Sequence, residues 1–204
     1  MLIAPESPEA LARALDVIEN GGCVVHATET CYGITCDLSN PAALKHLFAV
    51  KRRPAGQPVS VLFPSMESAL QYGLFSAEAL RLAGLHLPGP LTIVVPVHPA
   101  APKQIYVTAG GQAPLLIGVR VSSHPLATHL AESYGAPIAT TSANLHGKSN
   151  PYSAQDIQDQ WKGLADAPDI LIDSGSLPVA KPSTVVQVVG NNITVIRQGD
   201  LIIA

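Results

Sequence analysis

Helix and strand signals alternate along this chain from its first residues to a closing hairpin, and that alternation restricts the fold more than any other feature. Ser7-Pro8-Glu9 reads as an N-cap, a first-turn proline and an acidic first turn. Leu11, Leu15 and Ile18 then make one apolar stripe, stopped by Gly21-Gly22. Residues 23–27 and 34–38 read as strands around a polar turn at 28–33. Asn40-Pro41 opens a second helix with Leu44, Leu47 and Phe48 inward, ending near Lys51-Arg52-Arg53 before Pro54. A short buried strand at 59–63, two short helices at 65–72 and 76–86, and a rigid Pro88-Gly89-Pro90 corner lead into a strand at 91–97.

Residues 98–114 show no periodicity and read as a long loop, of the kind that serves as a lid or binding loop. Beyond it lie a strand at 115–121 containing Arg120, a helix at 124–134 stopped by Gly135, and a strand at 137–141 running into Ser142-Ala143-Asn144. Ser153 and Asp156 form a capping box that opens a helix to about Leu164. A strand at 169–173 precedes a hairpin of strands 184–189 and 193–197 around Gly190-Asn191-Asn192. Hairpin and crossover connections together predict one α/β domain over residues 1–204, a sheet sandwiched by helices.

Composition narrows the function classes. Of 204 residues, 47% are hydrophobic and 13% charged, which fits a well-filled globule. No apolar run reaches the ~18 residues that span a bilayer, and the start lacks the basic and apolar stretches of a secretory signal. A cytoplasmic protein is expected. A net charge of −3 lacks the basic surplus of a dedicated nucleic-acid binder, so weak or no direct tRNA binding is expected. Cys23, Cys31 and Cys36 offer no second pair for a structural zinc site and read as buried thiols, with no dedicated protein metal site expected.

The polar groups fall into a pattern of their own. With only 12 Lys and Arg in the chain, Lys51-Arg52-Arg53 is a local concentration of positive charge. One cation at a helix C-terminus would serve the macrodipole; three exceed that need, and Lys51 and Arg53 both read as solvent-facing. Ser142 and Asn144 share a face if the segment is extended, although either residue type can equally cap a turn. Arg120, framed by apolar neighbours, needs an anionic partner, internal or ligand. Gly147-Lys148-Ser149 resembles the tail of a P-loop, but the leading glycine would fall at Ser142 and Asn150-Pro151 follows where a helix should begin. Cations at 51, 53, 120 and 197 with hydroxyls at 28, 142 and 183 make an inventory for phosphate and carboxylate. No metal-ligand cluster or acid/base dyad accompanies them.

Seven ordered segments resemble the YrdC-like threonylcarbamoyl-AMP synthase family. His26-Ala27-Thr28-Glu29-Thr30-Cys31-Tyr32-Gly33 is similar to that family's Pro-Thr-Glu-Thr-x-Tyr-Gly segment. Lys51-Arg52-Arg53-Pro54 and Pro88-Gly89-Pro90-Leu91-Thr92 resemble two further motifs. Gly118-Val119-Arg120-Val121 with His124-Pro125, Ser142-Ala143-Asn144-Leu145, Ser183-Thr184-Val185-Val186 and Arg197-x-Gly199 follow in the family's order. The resemblance implies a YrdC-like twisted, open, mixed sheet with a positively charged concave cleft, in a short form without an extra C-terminal domain.

It also implies that L-threonine, bicarbonate and ATP, with Mg2+ carried by the nucleotide, condense to L-threonylcarbamoyl-AMP and pyrophosphate. That product feeds a downstream threonylcarbamoyl-transferase complex making N6-threonylcarbamoyladenosine-37 in tRNA. By the same carry-over Lys51, Arg53, Ser142 and Asn144 are catalytic and nucleotide-handling. Thr28, Arg120, Thr140 and Ser183 fall on threonine positions, and Asn150 and Arg197 on ATP positions. Ala27, Gln57, Pro182 and Gln187 depart from the family pattern. An RNA-binding module using the same cleft, or a carbamoyl-transfer relative with another acceptor, are the alternative readings.

Overall fold

The computed structural model describes residues 1–54, 57–101 and 115–203. Most of the predicted long loop, 102–114, lies outside the described residues. Among the described residues the strands form one sheet in the order β1-β8-β2-β3-β7-β4-β6-β5-β9-β10. Their spans are β1 Leu2–Pro5, β2 Val24–His26, β3 Gly33–Asp37, β4 Ser60–Leu62, β5 Leu91–Pro96, β6 Leu116–Arg120, β7 Ile138–Ser142, β8 Ile170–Asp173, β9 Thr184–Val189 and β10 Asn192–Arg197. The helices are α1 Pro8–Glu19, α2 Pro41–Val50, α3 Met66–Leu70, α4 Ala77–His86, α5 Pro125–Tyr134 and α6 Ala154–Trp161. None is long and apolar enough to cross a membrane.

Among the described residues four parallel pairs (β1 with β8, β2 with β8, β4 with β6, β5 with β9) stand in the same sheet as five antiparallel ones, giving the mixed sheet expected. The helix-start readings hold: Ser7, Asn40 and Ser76 accept hydrogen bonds from first-turn backbone N–H groups, and Ser153 with Asp156 forms the capping box. Gly135 closes α5 in the left-handed conformation, φ 72°. Two boundaries differ. β1 carries no strand signal in sequence, being a short edge strand ending in proline. α6 stops at Trp161, because Gly163 turns the chain with φ 73°.

Alternate strand residues belong to two cores, one on each face of the sheet. Val24, Leu62, Ile138, Ile170 and Ile172 pack with Ile18 of α1 and Leu126 and Leu130 of α5. Val25, Val61, Ala139 and Leu171 pack on the other face with Leu44 and Leu47 of α2, Leu82 of α4 and Trp161 of α6. A sheet with apolar side chains on both faces needs helices on both to exclude water, and it has them.

Candidate functional site

A hollow open at its mouth lies over the middle of the sheet. Its floor is set by register. Thr140 of β7 pairs with Ser60 of β4, and Ser60 pairs with Gly118 of β6. Ser60 stands two residues from Leu62 and Thr140 two from Ile138, so the floor lies on the face that α1 and α5 cover elsewhere. Small side chains there leave the depression. A Cβ at Gly118 would come 3.4 Å from the Ser60 hydroxyl and 3.6 Å from the Thr92 methyl, so glycine keeps the floor low.

The walls come from strand ends and turns. Thr28, Thr30, Cys31 and Gly33 line the hollow from the β2–β3 turn, Arg120 from the end of β6, Ser142 from the end of β7, and Ser183 and Arg197 from the last hairpin. Six of the residues expected from sequence (Thr28, Arg120, Thr140, Ser142, Ser183, Arg197) therefore face one cavity. The Thr28 hydroxyl donates to the Cys31 carbonyl at 2.7 Å and accepts from the Thr30 and Cys31 N–H groups, which fixes the turn. Arg197 donates from Nε to the Ser183 carbonyl and from Nη2 to the Ser183 hydroxyl, both at 3.0 Å. Ser183 is buried, and its hydroxyl lies 3.0 Å from that of Thr92.

Lys51, Arg53 and Asn144 do not line the hollow themselves; each contacts a residue that does, Ser142 or Thr141. Lys51, at the C-cap of α2, donates from Nζ to the carbonyl oxygens of Ser142 and Asn144, the latter at 2.7 Å. The Ser142 hydroxyl donates to Asn144 Oδ1 at 2.5 Å across a bend in which the Asn144 N–H donates to the Ser142 carbonyl, so the two side chains meet at a turn and not along an extended segment. Asn144 Nδ2 donates to the carbonyls of Leu145 and Lys148. Arg53 donates to Gln57 Oε1 at 2.8 Å and to the Pro58 carbonyl at 2.7 Å, with Nη1 3.5 Å from the Thr141 hydroxyl. Asn150 does not line the hollow; it lies between the Asn144 turn and α6.

The structure corrects one reading. Lys51 and Arg53 both look solvent-facing in sequence, yet Lys51 is only 3% exposed. Its stem enters the core with α2 while the ammonium satisfies two carbonyls. Burial, then the neighbouring Arg53 charge, pull its pKa down to about 7. Burial also lowers Arg53, and burial followed by the Arg120 charge lowers Arg197. Cations crowded and part-desolvated in this way favour an anion between them.

The partner of Arg120, left open by the sequence, is internal. Its Nη2 lies 2.6 Å from Glu29 Oε1 and 3.1 Å from the Thr30 hydroxyl, while Ser122 donates its hydroxyl to Glu29 Oε2. Thr30, Cys31, Gly33, Ser60, Thr92 and Thr141 of the lining, and Glu29 beside it, are the residues not singled out as site positions. Glu29 and Thr92 sit inside motifs already quoted, which was their signal; Ser60 has none.

The family model Sua5/YciO/YrdC, described as telomere recombination, matches residues 16–199. The chain belongs to this family. It is 33% identical over 153 residues to a threonylcarbamoyl-AMP synthase of Vibrio vulnificus, covering 74% of this chain and 80% of that one. The crystal structure of Pyrococcus abyssi Sua5 complexed with L-threonine superposes with a TM-score of 0.84 at 30% identity. That match covers 97% of this chain and 56% of the longer Sua5 chain, so this chain spans just over half of it. E. coli YciO shares the fold, with a TM-score of 0.81 at 24% identity over 97% of this chain and 93% of its own.

Proposed function

We propose that this chain makes L-threonylcarbamoyl-AMP from L-threonine, bicarbonate and ATP, releasing pyrophosphate. The observation that carries the reading is the convergence of Arg120, Arg197, Thr140, Ser142 and Ser183 in one hollow, with Lys51 and Arg53 in contact with its lining residues Ser142 and Thr141. Relatives of this length carry the synthase name, and the Pyrococcus neighbour holds L-threonine.

The chemistry asks for two bond-forming steps. The threonine ammonium loses a proton, its nitrogen attacks the carbon of bicarbonate, and water leaves to give the carbamate. A carbamate oxygen then attacks the α-phosphorus, and the bond to the β-phosphate oxygen breaks as pyrophosphate departs. Carbamates are short-lived in water, so catalysis depends on holding the reactants together, which can lower a barrier by about 7–11 kcal/mol. Arg120 and Ser183 position the threonine carboxylate and hydroxyl. Lys51, Arg53 and the Ser142–Asn144 turn take the phosphates and stabilise charge growing on their oxygens.

The lining is hydroxyl and cation, and its neighbouring carboxylate, Glu29, is engaged by Arg120 and Ser122. Magnesium fits this donor set only as an ion carried by the ATP phosphates, where it neutralises their charge. The adenylate passes to a threonylcarbamoyl-transferase acting on tRNA, and the protein works in the cytoplasm.

The deciding experiment incubates the full chain with ATP, Mg2+, bicarbonate and L-threonine, reads pyrophosphate release, and identifies the adenylate by mass. Release that depends on both threonine and bicarbonate supports the reading. Release with another amine in place of threonine, or salt-sensitive RNA binding without turnover, overturns it.

A further inference from the structure

On the sheet face opposite the hollow, three metal-ligating side chains from separate parts of the chain meet. Among the described residues Cys23 Sγ, one imidazole nitrogen of His46 and one carboxylate oxygen of Asp169 all lie within 4.8 Å of one another. Cys23 opens the path into β2, His46 comes from α2, and Asp169 leads into β8. Cys23 belongs to the core that packs under α2, whereas the floor of the hollow faces α1 and α5. Thr28 lies five residues further along and beyond the other end of β2, roughly 16 Å away at strand rise.

We propose that Cys23, His46 and Asp169 form a binding site for a borderline-soft divalent cation of the zinc class. The ligand set is sulfur, nitrogen and oxygen, the combination that zinc takes in four-coordinate sites. His46 Nε2 lies 3.1 Å from Asp169 Oδ2, close to the edge of a tetrahedron with metal–ligand bonds of about 2.0–2.2 Å. The carboxylate is anchored: Oδ2 also accepts the Cys23 backbone N–H at 2.7 Å, and the Asp169 N–H donates to the Cys23 carbonyl at 3.0 Å.

The glycine before Cys23 keeps this corner open. A Cβ at Gly22 would come 2.9 Å from Asp169 Oδ2 and 2.6 Å from a Val17 methyl. The thiol is fully buried, while the His46 and Asp169 side chains are 34% and 43% exposed, so an ion can reach the sulfur between two part-exposed ligands. The fourth position falls to water. Val24 pairs with Thr35, which sets Cys36 opposite Cys23 on the antiparallel ladder, outside the three-ligand cluster.

A surface His–Asp pair is ordinary; a thiol beneath it at ligand distance is what makes this corner a metal site. No sequence spacing reveals it, since the ligands are drawn from positions 23, 46 and 169. Bound metal would tie α2, whose C-terminus carries Lys51, to β2 and β8. A thiol ligates as the thiolate, so uptake of the cation releases a proton and strengthens as pH rises.

The test titrates the chelator-treated full chain with Co2+ as the probe. The unmodified chain should take up one equivalent, show a thiolate-to-cobalt charge-transfer band, and lose the band to added Zn2+. His46→Ala, a half-exposed change that leaves the core intact, should weaken Co2+ uptake by roughly tenfold or more, and Cys23→Ser should abolish the band. Zn2+ should raise the Tm of the unmodified chain and leave that of His46→Ala unmoved. Absence of the band in the unmodified chain, or a band and affinity unchanged in His46→Ala, overturns the proposal whether or not synthase activity is present.

Discussion

Arg120 is held by Glu29: the guanidinium Nη2 sits 2.6 Å from the Glu29 carboxylate at the wall of the hollow, with side-chain exposures of 9% and 16%. The pair presets the guanidinium and is available to compete with an incoming carboxylate. Removing one member of a buried pair costs about 3–5 kcal/mol, because the other charge is stranded. Arg120→Met should therefore lower the Tm markedly and raise the KM for threonine well over tenfold. The double variant Glu29→Gln/Arg120→Met should regain most of the stability but not the threonine affinity. Thermal unfolding read beside a threonine titration separates the two effects; equal recovery of both would mean Arg120 is only structural.

Lys51 links the nucleotide reading to pH. With its pKa drawn down to about 7, its ammonium is partly deprotonated at neutral pH. A polyphosphate beside it would favour the charged form, so ATP binding should take up a proton and weaken as pH rises above 7. Calorimetry of ATP binding in buffers of different ionisation enthalpy measures that uptake. Lys51→Met should abolish it and cut turnover by roughly tenfold or more, while Arg53→Ala should lower turnover and, by removing a charge that depresses the Lys51 pKa, reduce the linked uptake without abolishing it.

How far the fold and site were legible follows from what each feature depends on. Ser7-Pro8, Asn40-Pro41 and Ser153 with Asp156 act within one turn of chain, so their caps could be read directly. The order of the strands could not be read, because β8 inserts between β1 and β2 from the far end of the chain. Individual motifs named most of the hollow's lining, but its floor needs Ser60 to fall beside Thr140 and Gly118, a matter of register across three strands. Lys51 was misread for a similar reason. A lysine defaults to solvent, and the carbonyls that hold it belong to residues 142 and 144.

His26 should make the fold acid-sensitive. It is fully buried, with Nδ1 3.0 Å from the Ala27 carbonyl and Nε2 without a hydrogen-bond partner, and burial lowers its pKa from 6.5 to about 4. Between those values the unfolded chain binds more protons than the folded one, so stability rises with pH across that window and falls as pH drops from 6.5 towards 4. The whole effect is at most about 3 kcal/mol. The Tm of the unmodified chain should fall more between pH 7 and pH 5 than that of His26→Phe. Identical pH profiles for the two would rule His26 out as the source.

Arg52 turns the corner between Lys51 and Arg53. It is exposed and has φ 50°, in the left-handed region; its N–H donates to the Ala49 carbonyl and that of Arg53 to the Phe48 carbonyl, closing α2. This turn separates buried Lys51 from Arg53 beside the hollow. A non-glycine residue there is strained by about 1 kcal/mol, which glycine relieves while losing about 0.5–1 kcal/mol of unfolded-chain entropy. Arg52→Gly should accordingly leave stability within about 1 kcal/mol of the parent and preserve turnover, showing that this middle cation has no part in the chemistry. Arg52→Val, whose branched side chain resists positive φ, should lower the Tm and slow turnover by displacing Lys51 and Arg53 together. Denaturant unfolding and the pyrophosphate assay on both variants check this; a loss of activity in Arg52→Gly equal to that in Arg53→Ala would place Arg52 in the site instead.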